Sequence, residues 1–240
     1  MSRLDADPPP RLSYTTAVDA LAASVVRAFR GADDTYRVSD HVGLLPDRRA
    51  ELAALRVLGV DALAPYLVRG RPVLADDLAV FDEVTTVFPS DSTRVTTSVV
   101  RRLRHWFLEE VLTDLTGAGK GSAYPRSADQ LAPNEGTPWQ PWSVFMAQVS
   151  TMALPGWVTP VHLAASRRTE DLARGAARAL LRGDPYTAAR LGRWLALQPD
   201  VPPELGLTGL LEHVDLLGSR DPRTQLEVAV AQHLLEVGRS

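Results

Sequence analysis

The sequence predicts an all-α protein, a single irregular helical bundle of about eight to ten helices with a long central Gly/Pro loop. Three observations carry this. Apolar residues recur at three- and four-residue spacing in successive segments, capping side chains and prolines or glycines bracket those segments, and no strand–helix alternation of the βαβ kind is present. With 240 residues and 45% hydrophobic content, the chain is long enough to bury a substantial core.

Residues 1–12 predict a mobile tail. Acidic residues and three consecutive prolines stand where a secretory leader needs a basic patch followed by an apolar run, so a cytoplasmic location is expected. From Thr15 to Phe29, Val18, Leu21, Ala22, Val25, Val26 and Phe29 fall on one helical face, and Gly31 ends the segment. The polar stretch from Asp33 to Gly43 is assigned no element. Asp47 is placed to cap a helix that runs to Leu58 and stops at Gly59. Asp61 is read as the cap of a short helix reaching Leu67 in spite of Pro65, and Ala75 to Phe88 reads as a helix with a frayed end.

The strongest periodicity runs from about Ser92 to Leu115. Val100, Leu103, Phe107 and Val111 line one side, while Arg101, Arg104, His105 and Glu109 take the other. The β-branched stretch from Val95 to Val100 costs only tenths of a kcal/mol per residue, so periodicity is expected to prevail. Gly117, Gly119 and Gly121 then open a loop over 117–138, which joins two packed halves of one helical domain spanning 13–240. Beyond it, Thr159-Pro160, Asp184-Pro185 and Asp221-Pro222 each pair a capping side chain with a proline suited to the first helical position. They predict helices over 160–182, 185–198 and 222–237, with two more at Trp142 to Ala153 and Leu207 to Leu217.

Composition removes several chemistries. With no cysteine there are no disulfides, thiolate metal sites or cysteine nucleophiles. Net charge is −3, and the arginines are interspersed with acidic residues, so no nucleic-acid partner is expected. All the basic residues but Lys120 are arginine, a bias that fits a bacterial genome of high GC content. The uncharged stretch 136–166 is broken by Pro138, Pro141, Pro155, Gly156 and Pro160, which argues against a membrane span.

The candidate sites are few. GAGKGS at 117–122 places Lys120 among glycines, yet Gly121 stands where a phosphate-binding P-loop needs Ser or Thr, and a helix rather than a strand precedes it. DDLAVFDE brings Asp76, Asp77, Asp82 and Glu83 onto adjoining turns, the kind of carboxylate pairing that holds Mg²⁺ against a diphosphate. His105 and Glu109 share a face at four-residue spacing, but none of the five histidines sits in a Glu-x-x-His pair. No Gly-x-Ser-x-Gly elbow is present. The most unusual segment, 137–162, concentrates Trp139, Trp142, Phe145, Met146, Met152 and Trp157, with Gln140, Gln148 and His162 as polar neighbours. Such a cluster reads as central core, as the wall of an apolar ligand pocket, or as aromatic anchors for a protein partner.

These observations lead to the expectation of a non-catalytic accessory or protein-interaction domain of a bacterial cytosolic pathway. Its binding residues would be Trp139, Trp142, Phe145, Trp157 and His162, facing a protein partner or an apolar small molecule. One alternative is a small-molecule enzyme with an aromatic pocket, using His105, Glu109, Asp76 or Asp77 as acid–base or Mg²⁺ groups. The other is a ligand-sensing regulatory domain. No metal site and no cofactor are expected, apart from Mg²⁺ in the enzyme alternative.

Overall fold

The computed structural model describes residues 10–31, 36–44, 46–89, 98–117 and 136–238. Among the described residues the chain is α-helical with short 3-10 turns and no strand, as the periodicity predicts. The helices are α1 (Pro10–Phe29), α2 (Arg48–Leu58), α3 (Ala64–Arg69), α4 (Ala75–Val87), α5 (Val99–Thr116) and α6 (Trp139–Gln148). They continue with α7 (Pro160–Arg167), α8 (Thr169–Leu181), α9 (Pro185–Ala196), α10 (Leu207–Leu217) and α11 (Pro222–Gly238). None is long and apolar enough to cross a membrane.

Five helix starts follow from side-chain capping. Asp47 accepts a hydrogen bond from the Ala50 amide at 3.0 Å, Ser98 from Arg101 at 3.3 Å, and Asp184 from Thr187 at 3.0 Å. Asp221 accepts from the Thr224 amide at 3.2 Å, and Thr159 from His162 at 3.4 Å, so all three Asp-Pro and Thr-Pro signals open helices. Helix α1 begins at Pro10, inside the stretch assigned to a tail. Helix α5 begins at Val99, because Ser98 is extended (φ −60°, ψ 146°) and caps it. The earlier part of its expected span, 92–97, and most of the glycine loop, 118–135, lie outside the described residues, as do Lys120 and residues 1–9.

Three expectations are corrected. The helix expected over 142–153 is α6, which ends at Gln148; Val149 leaves helical geometry (φ −108°, ψ 22°) and a 3-10 turn, Ser150–Met152, follows. The segment 160–182 is not one helix: Arg168 leaves helical geometry (φ −129°, ψ 40°) and separates α7 from α8. Its side chain supplies the reason. The guanidinium lies 4.4 Å from the centre of the Trp142 ring, donates to the Thr137 carbonyl at 2.9 Å, and pairs with Asp171 at 2.8 Å. Asp61 is not a cap. It sits in a buried 3-10 turn, Gly59–Ala62, and α3 starts two residues later with no side-chain cap.

Packing centres on α9, which lies against α6, α8, α10 and α11, while α1 bridges α2 to α11. One continuous apolar core joins elements on both sides of the 118–135 segment, with Phe81, Phe107, Trp142, Met146 and Trp194 fully buried in it. Close approach of α6 to α8 depends on Gly175. A Cβ there would stand 2.6 Å from Ser143 Cβ, an atom that the backbone holds in place. Gly175→Ala gains roughly 1 kcal/mol of helix propensity and loses about 1–3 kcal/mol to overpacking. A net loss of about 1 kcal/mol is therefore expected in urea unfolding, whereas a raised midpoint would mean that the contact yields freely.

The core also holds charge. Arg193 on α9 is 0% exposed, and its Nη1 reaches Asp61 Oδ1 at 2.6 Å and Glu227 Oε2 at 3.2 Å. Its Nε donates to the Ala153 carbonyl at 3.1 Å and its Nη2 to the Thr151 carbonyl at 3.4 Å. Glu227 in turn accepts from Ser150 at 2.8 Å and lies 3.4 Å from Arg190. One guanidinium thus ties the 59–62 turn and the 3-10 turn Ser150–Met152 to α9 and α11. Both turns wall the cavity described next.

Candidate functional site

Helix α2 ends where Gly59 adopts φ +57°, a left-handed value that glycine takes without a Cβ penalty. Arg56 therefore occupies the last turn of the helix, where a cation meets the negative end of the dipole. Across from it, Arg101, Arg104 and His105 stand at three- and four-residue spacing on the first turns of α5, so they share one face. Together with Val57, Val60 and Thr151 they enclose a cavity of about 270 Å³. That is just below the range usual for drug-sized ligands and suits a small one.

Positive charge dominates this cavity. Among the described residues its wall contains three guanidinium groups and no carboxylate. Arg104 Nη2 donates to the Val57 carbonyl. Burial pulls the Arg104 pKa below its usual value, and Asp61 behind it opposes that shift. Arg56 Nη1 is shielded from solvent and has no hydrogen-bond partner among the described residues, although its guanidinium lies 5.6 Å from the centre of the Phe88 ring. Burial, and then the like charge of Arg101, hold the Arg56 pKa below its ordinary value. Arg56 and Arg101 both line the cavity, and among the described residues its wall offers no carboxylate to neutralise them.

His105 adds a polar nitrogen. Its Nε2 lies 3.3 Å from a Glu109 carboxylate oxygen, within ion-pair range but without the alignment of a hydrogen bond. Burial lowers its pKa, Glu109 opposes the shift, and Arg56 reinforces it. The first amides of α5 complete the wall, since Ser98 and Val100 border the cavity. Arg101 N–H is taken by Ser98 Oγ, while the Val99 and Val100 amides have no acceptor within the helix.

The residues singled out from the sequence divide into separate groups. His105 lines the cavity and Glu109 stands behind it. Asp77 is buried on α4, where it accepts from the Tyr66 hydroxyl at 2.5 Å and the Ser39 amide at 2.8 Å, whereas Asp76 is exposed. The acidic run therefore does not converge: Asp77 faces the core, Asp82 is exposed, and Glu83 pairs with Arg48 at 2.5 Å. Among the described residues no three His, Asp or Glu side chains are grouped as a metal site would need.

The aromatic cluster is also dispersed. Trp142 is buried beneath Arg168, while Trp139 lies on α6 with the Arg178 guanidinium 5.5 Å from its ring centre. Trp157 meets Phe107 edge-on at 5.1 Å, and His162 meets Trp194 at 5.2 Å. Phe145 is half-buried against the core. No tryptophan lines the arginine cavity, nor the groove of about 430 Å³ between α6, α8 and α9, nor the cleft of about 200 Å³ beside α1. Trp142 and Trp157 contribute to the core rather than to any of these three spaces.

Sequence reasoning missed the arginines as a site. The spacing of Arg101, Arg104 and His105 is visible in the sequence, but on a helix so rich in charge it reads as a solvated face. Only the packing of α5 against the end of α2 brings Arg56 to them. No protein-family model, curated protein or solved structure matches the chain.

Proposed function

We propose that this protein is a non-catalytic binding domain for a small anionic ligand, held in the cavity between the end of α2 and the start of α5. The observation that carries this reading is the convergence of Arg56, Arg101 and Arg104 on one cavity whose wall, among the described residues, holds no carboxylate. Like charges brought together and partly desolvated raise the energy of the free protein, and a bound anion removes that cost. Guanidinium groups also present forked donors that suit oxyanions.

The same convergence supports ligand binding over partner docking through exposed apolar side chains. The most exposed of these, Leu181, Val158, Leu216 and Leu44, come from separate elements, and scattered apolar residues are ordinary on a protein surface.

The test is thermal unfolding with a panel of phosphate, sulfate, citrate and chloride at constant ionic strength. A ligand at about a hundred times its Kd adds roughly 2.7 kcal/mol to the native state. An oxyanion should raise the melting temperature of the wild type by several degrees and that of Arg56→Ala/Arg101→Ala far less. An equal rise in both proteins would refute a site at these residues.

A further inference from the structure

Resting on the anion-pocket reading, we propose that the ligand presents a dianionic tetrahedral oxyanion, a phosphoryl group free or ester-linked, to Arg56, Arg101 and the first amides of α5. The number of unneutralised charges sets the class. Of the three guanidinium groups, Arg104 is committed to the Val57 carbonyl and lies under the field of Asp61. Arg56 and Arg101 have no carboxylate partner among the described residues. Two unpaired cations are matched by a dianion, whereas a carboxylate or nitrate leaves one of them uncompensated.

The geometry of donors points the same way. Arg56 approaches from the end of α2, Arg101 and His105 from the face of α5, and Ser98 and Val100 from its N-terminus. Donors on several sides suit a tetrahedral group better than a planar one. The N-terminal end of an eighteen-residue helix adds its dipole to the two side-chain charges. Val60, Val100 and Leu108 supply an apolar wall beside the charged end, where a short carbon group of an ester would lie.

The decisive measurement is calorimetric titration of the full chain at pH 8, where phosphate is dianionic, with inorganic phosphate, sulfate, glycerol 3-phosphate, acetate and nitrate. Phosphate and sulfate are expected to bind at least about tenfold more tightly than acetate or nitrate, because each further charge-assisted contact contributes of the order of a factor of ten. Arg56→Gln and Arg101→Gln should each weaken phosphate binding by about tenfold or more, with the helical circular-dichroism signal and melting temperature of the free proteins retained. Arg101 is exposed, so its variant reports on binding even if Arg56→Gln fails to fold.

Acetate or nitrate binding as tightly as phosphate would overturn the dianion assignment while leaving an anion pocket in place. Phosphate binding unchanged in both variants, or no binding of any anion to the wild type, would overturn the pocket as well. Tighter binding of glycerol 3-phosphate than of phosphate identifies the ester-linked form, and the reverse order identifies the free anion.

Discussion

Arg193→Met is expected to destabilise the protein at pH 7 by about 3–5 kcal/mol, or to prevent folding altogether. The loss comes from what remains behind. Asp61 and Glu227, which share the Nη1 of Arg193, stay buried without it, and the carbonyls of Ala153 and Thr151 lose a donor. Glu227 keeps Arg190 and Ser150, so the unpaired charge falls mainly on Asp61. A typical domain is stable by only 5–15 kcal/mol, so a loss of this size takes a large share of the total.

The same variant should be pH-sensitive in a defined sense. Burial is the largest influence on Asp61 and pushes its carboxyl pKa up, with Arg193 opposing it. Without the arginine, the folded-state pKa lies further above the unfolded value. Stability of the variant is then greatest in acid, where Asp61 is protonated, and is lost as pH rises through the folded pKa. Urea unfolding at pH 5 and pH 7 should show a smaller deficit at pH 5. Arg193→Met/Asp61→Leu removes the stranded charge and should recover a good part of the loss. A deficit below about 1 kcal/mol at pH 7 would show that Arg193 does not hold this network together.

The Arg193 network also supports the cavity. Arg193 fixes the turn that carries Val60 and the turn that carries Thr151, and both belong to the wall around Arg56 and Arg104. The double variant should therefore fold and yet bind anions more weakly. That separates the role of the network in holding the cavity from its role in stability.

The sequence made the helices legible wherever two local signals agreed. Asp47, Asp184, Asp221 and Thr159 cap as read, because a cap is decided by a side chain and an amide three residues away. Asp61 carries the same local signature and is something else, since its partner Arg193 lies 132 residues further along the chain. The break at Arg168 was hidden for a similar reason. Its cause is a ring and a carbonyl contributed by the segment around Thr137 and Trp142, not by its own neighbours. The same distinction governs the site: α5 declares Arg101, Arg104 and His105 as one face, but the sequence has no way to say that the end of α2 covers that face. Periodicity reports which residues point together, and only tertiary packing decides whether water or another helix meets them.

The His162→Phe variant is expected to lose much of the acid sensitivity of the wild type. His162 opens α7 and is enclosed by Phe107, Trp194 and the Met152–Leu154 backbone, with Nδ1 at 2.8 Å from the Thr159 hydroxyl and Nε2 buried without a well-aligned hydrogen bond among the described residues. Burial lowers its pKa from the usual 6.5 to about 4, while the carbonyls of Met152 and Leu154 offset part of the shift. Because the folded value lies below the unfolded one, the unfolded chain takes up a proton first as pH falls. The stability that depends on a neutral His162 is fully present above about pH 6.5 and drains away as pH falls toward 4. At 1.36 kcal/mol per unit, the contribution lost is about 2 kcal/mol at pH 5 and about 3 kcal/mol by pH 4. Burial lowers the pKa of His105 and His233 as well, so the informative quantity is the difference between wild type and variant. Phenylalanine suits the aromatic surroundings, carries no proton, and leaves the backbone amide of residue 162 free to donate to Thr159. Urea unfolding of both proteins between pH 7 and pH 4.5 should show the wild type losing about 2 kcal/mol more than His162→Phe. Parallel stability curves would mean that the imidazole is hydrated or protonated in the folded protein, and that the aromatic surroundings do not exclude its charge.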